Sequence, residues 1–212
     1  MSEEIVWTKE YKIERYRKMN ETAEKGCVLF AGSSLMEMFP VEKFAAEDGL
    51  PVTVYNRGVG GFITDELIEN IGVCILDLAP GKLFINIGTN DLSDPDRPLQ
   101  QVMDNYSAIL GEVRRTVPGV RIYLMAYYPV NYDAAAPEMK DCLKIRSNEK
   151  IAAANERVKA LADLYGAKYI DVNAPLKDEH GNLRAEYTFE GMHINEEGYR
   201  AVYPLVREYI LE

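Results

Sequence analysis

The chain has 212 residues, of which 47% are hydrophobic and 27% charged, and a formal net charge of −10. That length and balance suit one globular domain spanning residues 1–212, with a core that needs no staples, and they exclude a disordered chain. The acidic excess excludes nucleic acid as an expected partner, because phosphate affinity needs clustered Lys and Arg.

The start, Met1-Ser2-Glu3-Glu4-Ile5-Val6-Trp7, is polar and acidic, with no basic-then-apolar leader. No apolar run approaches the length of a membrane span, so the expected location is cytoplasmic. Within residues 1–25, Tyr11, Ile13, Tyr16 and Met19 recur among charges from Thr8 to Glu24 and predict a surface helix. Cys27-Val28-Leu29-Phe30-Ala31 is an apolar run that stops at Gly32-Ser33-Ser34. It reads as a buried strand, a tight turn and a helix start, in which Ser33 and Ser34 serve either as helix caps or as functional groups. A second strand around Val52–Tyr55 ends in Asn56-Arg57-Gly58-Val59-Gly60-Gly61.

Thr64 is placed to cap a helix whose apolar positions run from Leu67 to Leu78, ended by Pro80-Gly81. Leu83–Ile87 is a third strand closing on Gly88-Thr89-Asn90-Asp91. A helix from Leu99 to Val113 and a fourth strand from Arg121 to Ala126 follow. Residues 129–147, with Pro129 and Pro137, read as a long connection of the kind that forms lids or binding loops. Then come a helix from Asn148 to Leu164, a fifth strand over Lys168–Val172, and a last helix from Asn195 that Pro204 should kink. Alternating strands and helices imply a parallel sheet covered on both faces.

In such a sheet the turns after the first three strands emerge on one edge and converge on one crevice. Near the C-terminus, Glu190-Gly191-Met192-His193 puts a carboxylate three residues before an imidazole. These groups supply what acyl transfer needs. Ser34 is the nucleophile, His193 its general base, and Glu190 holds the ring in one tautomer. The backbone N–H groups of Ser34 and Gly61 and the side-chain amide of Asn90 are the candidate oxyanion donors. Ser33 is the minor alternative nucleophile. His180, in Asp178-Glu179-His180-Gly181-Asn182, reads as a solvated turn residue. Cys27, Cys74 and Cys142 lie far apart, Asp91 reads as a turn-fixing partner and Asp171 as a strand-end residue, so no metal site is expected.

The segments Phe30-Ala31-Gly32-Ser33-Ser34-Leu35, Asn56–Gly61, Gly88-Thr89-Asn90-Asp91 and Glu190-Gly191-Met192-His193 resemble, in order, the four blocks of the SGNH or GDSL esterases and lipases. The resemblance implies a flavodoxin-like three-layer α/β/α sandwich with a five-stranded parallel sheet in the order 2-1-3-4-5. It also implies hydrolysis of carboxylic esters through a serine, with no cofactor. Carried over block by block, it puts the nucleophile on Ser34, the oxyanion donors on Gly61 and Asn90, and the base on His193. Two positions depart from the family pattern. Ser33 stands where an Asp is usual, and Glu190 is one methylene longer than the usual Asp.

Arg57, Phe62 and Met192, with Met36 and Tyr128, lie next to these motifs and are candidate pocket-lining residues, with ordinary packing as the other reading. The expected partner is a small-molecule ester, with a homodimer as the default assembly. The family spans acetyl-sugar esterases, lysophospholipases and thioesterases, and the acidic chain favours small soluble acyl esters. The rival reading is a ligand-binding protein on the same fold, its catalysis weakened at Glu190. A nucleotide site on Gly58–Gly61 is disfavoured, because no Lys-Ser or Lys-Thr pair follows.

Overall fold

The computed structural model describes residues 7–212; the expectation for the first six residues lies outside them. The apolar runs become the strands of one parallel sheet: β1 (Val28–Gly32), β2 (Val54–Gly58), β3 (Lys82–Asn86), β4 (Arg121–Met125) and β5 (Lys168–Ile170). Their order is β2-β1-β3-β4-β5, as the resemblance implied. The helices are α1 (Lys9–Asn20) before β1, the crossover helices α2 (Ser34–Glu37), α3 (Val41–Glu47), α4 (Thr64–Glu69), α5 (Ile71–Cys74), α6 (Leu99–Thr116), α7 (Lys140–Ile145) and α8 (Asn148–Tyr165), and α9 (Glu196–Leu211) after β5. Among the described residues no helix is long and apolar enough to cross a membrane.

The period-2 rule of strands sorts the core into two layers. Leu29, Ala31, Leu83, Ile85, Ile122 and Leu124 face one way, onto Tyr16, Leu67, Val102, Tyr106 and Val158. Val28, Phe30, Phe84, Tyr123 and Met125 face the other, onto Phe39, Phe44, Tyr199, Val202 and Val206. On that face Phe30, Phe84 and Tyr123, aligned in register, stack at 4.5 Å centroid spacing. The register also aligns the strand ends, because Gly32 pairs with both Gly58 and Asn86. The turns that follow these three residues therefore leave the sheet side by side.

Several local expectations are corrected. Thr64 is the first residue of α4 rather than its cap, and its hydroxyl donates to Asp91 Oδ1 at 2.6 Å. The helix expected to reach Leu78 breaks at Asn70, whose side-chain amide bonds back to the Glu66 carbonyl at 2.9 Å. Helix α3, which seats Val41, Phe44 and Ala45 in the core, has no counterpart in the sequence reading. Helix α9 contains Pro204, the position of the expected kink, and continues to Leu211. Pro204 and Arg200, whose carbonyl loses its partner, are both exposed, so water can substitute for the missing bond. Residues 129–147 hold α7 and bury Val130, Asn131, Ala135, Leu143 and Arg146, which makes this connection a packed wall.

Candidate active site

Strand β1 delivers Ser34 to the edge of the sheet through Gly32. With φ of 150° there, a Cβ would lie 2.0 Å from the Asn86 carbonyl oxygen, so only glycine lets β1 bend past β3. Ser33 occupies the N-cap position of α2, but its side chain makes no capping hydrogen bond, and Ser34 is the first residue of the helix. Ser33 is fully buried, whereas the Ser34 hydroxyl lies 2.9 Å from His193 Nε2.

His193 arrives on the loop before α9, pinched by a bridge between Thr188 and Ile194. The Thr188 hydroxyl donates to the His193 carbonyl at 2.8 Å and accepts from the Gly191 N–H at 2.9 Å, which closes the turn. Inside it, one oxygen of Glu190 serves His193 twice, lying 2.7 Å from ring Nδ1 and accepting the backbone N–H at 2.9 Å. The extra methylene of glutamate is thus taken up within the turn, and Nδ1 carries the proton that leaves Nε2 free to accept from serine. The wall formed by residues 129–147 supports this loop, as Asn131 donates its N–H to the Gly191 carbonyl at 2.7 Å.

The other two strand ends bring hydrogen-bond donors. Gly61 has φ of 79°, and its N–H meets no acceptor among the described residues. The neighbouring Gly60 N–H donates to Glu37 Oε2 at 2.6 Å, and Lys12 pairs with that carboxylate at 2.7 Å, so α1 and α2 clamp the glycine turn. Asn90 gives one amide hydrogen to the Phe62 carbonyl at 2.9 Å, and its oxygen accepts from Arg146 Nη2 at 2.8 Å. The reverse amide orientation would face donor with donor and acceptor with acceptor, so chemistry fixes this one. One amide hydrogen of Asn90 remains for a ligand.

Asp91, 1% exposed, ties the Asn90 turn to the start of α4 through the Thr64 N–H at 3.1 Å and the Thr64 hydroxyl. Burial raises its carboxyl above the usual range, while the Thr64 bond and the Arg97 charge pull it back down. Arg97 Nε lies 2.9 Å from Asp91 Oδ1, a charge contact without hydrogen-bond alignment.

His193 therefore bridges Ser34 and Glu190, with Gly61 and Asn90 on the adjoining turns. The expected pocket lining fares differently. Arg57 is 1% exposed, lies between the rings of Tyr16 and Tyr55, and donates to Asn20 Oδ1 at 3.0 Å. Strand alternation sends it beneath α1, which leaves it no exposure to a ligand. Phe62, Met36, Tyr128 and Met192 are buried. His180 is exposed in its turn, and Asp171 accepts the Asn173 N–H at 2.9 Å. The sequence reading missed Glu37, Thr188 and Arg146. A glutamate in a helix, a threonine in a loop and an arginine in a connection carry no pattern that marks them.

A family model described as the GDSL-like lipase/acylhydrolase family matches residues 34–201. Among solved structures, one reported under the name platelet activating factor from Streptococcus pneumonia is 33% identical; the match covers 95% of this chain and 92% of that one, with a TM-score of 0.84. An acetylxylan esterase from Geobacillus stearothermophilus, 16% identical over 88% of this chain and 95% of its own, shares the fold at a TM-score of 0.68. The N-acylneuraminate cytidylyltransferase of Escherichia coli O18:K1:H7 (strain RS218 / NMEC) is 28% identical over 185 residues, 86% of this chain. The chain spans only 40% of the length of that curated relative. The chain belongs to the GDSL-like lipase/acylhydrolase family.

Proposed function

We propose that the chain is a serine esterase that removes short acyl groups, acetyl above all, from small polar alcohols such as sugars, through an acyl-enzyme on Ser34. The observation that carries this reading is the unbroken hydrogen-bond chain Ser34 Oγ to His193 Nε2 at 2.9 Å and His193 Nδ1 to Glu190 Oε1 at 2.7 Å.

Ser34 Oγ attacks the ester carbonyl and its proton passes to His193 Nε2. Glu190 stabilises the resulting imidazolium. The carbonyl oxygen becomes an oxyanion, met by the N–H groups of Ser34 and Gly61 and the free amide hydrogen of Asn90. Collapse expels the alcohol, which leaves with the proton from Nε2. Water then attacks the acyl-enzyme, again giving a proton to His193, and the carboxylic acid departs as the proton returns to Ser34.

Packing supports a short acyl group. Met36, Phe62, Tyr128 and Met192, the apolar side chains beside the motifs, are each at most 7% exposed, so a long chain would have to displace them. A relative named for N-acylneuraminate favours a sugar as the class of alcohol. The test is hydrolysis of p-nitrophenyl acetate, butyrate and octanoate by the wild type and Ser34→Ala. Turnover should fall from acetate to octanoate and drop to background in the variant. Equal turnover by both proteins on all three esters would sink the proposal.

A further inference from the structure

We infer that Arg146 is a positioning residue of the oxyanion site, holding the Asn90 amide with its spare N–H toward the reacting carbonyl and strengthening that donor with its charge. The inference rests on the esterase reading above.

Arg146 ends the connection before α8 and is 3% exposed. Its three nitrogens go to three places around the site: Nη2 to Asn90 Oδ1 at 2.8 Å, Nε to Ser93 Oγ at 2.7 Å, and Nη1 to the Met192 sulfur next to His193. No carboxylate lies within ion-pair distance of it among the described residues; burial lowers its pKa, and the more distant Cys142 and Asp91 pull it partly back up. A buried cation without a paired anion is costly, and here it is directed entirely at neutral acceptors.

The arrangement has a chemical consequence. A guanidinium bonded to the amide oxygen draws electron density toward that end, so the N–H at the other end becomes a stronger donor. It also fixes the amide against flipping, because only Oδ1 can face a guanidinium. An unanchored amide would present its oxygen to the oxyanion part of the time, which is repulsive. Arg146 thus stabilises a charge that exists only after attack, so its effect belongs in kcat rather than KM.

A double-mutant cycle with Asn90→Ala, using p-nitrophenyl acetate, tests this. Arg146→Met, which keeps length and removes charge and fork, should lower kcat by about 10- to 100-fold with KM within about threefold, a fraction of the loss from deleting an oxyanion donor. Arg146→Lys, which keeps charge without the fork, should fall between the two. In the Asn90→Ala background either substitution should cost less than about twofold, because the amide it serves is gone. The same Arg146 factor in both backgrounds would overturn the inference and leave Arg146 as packing. So would a folded Arg146→Met with wild-type kcat. If Arg146→Met fails to fold by circular dichroism, the Arg146→Lys cycle decides on the same criterion. Ser34→Ala is the control. If it retains full activity, the esterase reading falls and this inference with it; if it is inactive while the cycle is additive, only the role of Arg146 falls.

Discussion

Glu190 offers the sharpest use of the geometry, because a single oxygen holds both donors of His193, at 2.7 Å from Nδ1 and 2.9 Å from the backbone nitrogen. In Glu190→Gln those two donors select the amide oxygen, so the glutamine NH2 takes the place of the second carboxylate oxygen and the histidine tautomer survives. What is lost is charge. A charge-assisted bond is worth about 1.5–3 kcal/mol and a neutral one about 0.5–1.5, a difference of about 1–2 kcal/mol. At about 1.4 kcal/mol per tenfold, kcat should fall about 5- to 30-fold. Glu190→Ala removes the acceptor altogether and lets the ring swing, which should cost on the order of 10²- to 10³-fold. Steady-state kinetics on p-nitrophenyl acetate separates the two. Equal losses in both variants would mean that the backbone N–H does not hold the oxygen in place. Wild-type kcat in Glu190→Ala would refute any orienting role.

Two further predictions test the placement of groups away from the reacting atoms. Arg57→Ala should cost about 2–3 kcal/mol, because it empties a site between two tyrosine rings and strands Asn20, and should lower Tm by roughly 5–10 °C. Its KM should stay within about twofold, whereas a raised KM with unchanged Tm would put Arg57 back in the ligand pocket. Burial pushes the Cys27 thiol up to about 11 and the Cys74 thiol to about 12, while Cys142 is partly exposed. Iodoacetamide at pH 8 should therefore label only Cys142 in the native protein and all three cysteines after unfolding, as read by peptide mass spectrometry. Native labelling of Cys74 would contradict the packing of α5.

The sheet was readable because its signals are local. Apolar runs such as Val28–Gly32 and Lys82–Asn86 end at Gly32 and Asn86, and parallel pairing then brings their turns together without further information. Ser34, Gly61, Asn90 and His193 were visible for the same reason, since each sits in a strand-end or helix-start turn. What was not legible depends on contacts far along the chain. Arg146 meets Asn90 and Ser93 from 56 and 53 residues away, and nothing in Lys144-Ile145-Arg146-Ser147 distinguishes a buried guanidinium from a solvated one. The place of Arg57 beside Gly58 fits either pocket lining or packing, and strand alternation, which turns it beneath α1, decides for packing. Thr64 has the composition of a cap, yet the buried Asp91 claimed its hydroxyl.

The central claim is that Ser34 forms the covalent acyl intermediate. The measurement that tests it most directly is stoichiometric labelling with an alkyl fluorophosphonate, followed by peptide mass spectrometry and residual activity. The account predicts one phosphonyl group per chain, on the oxygen of Ser34, with activity lost in proportion and no adduct in Ser34→Ala. An adduct on Ser33 or elsewhere, or full turnover by a protein fully labelled at Ser34, would contradict it.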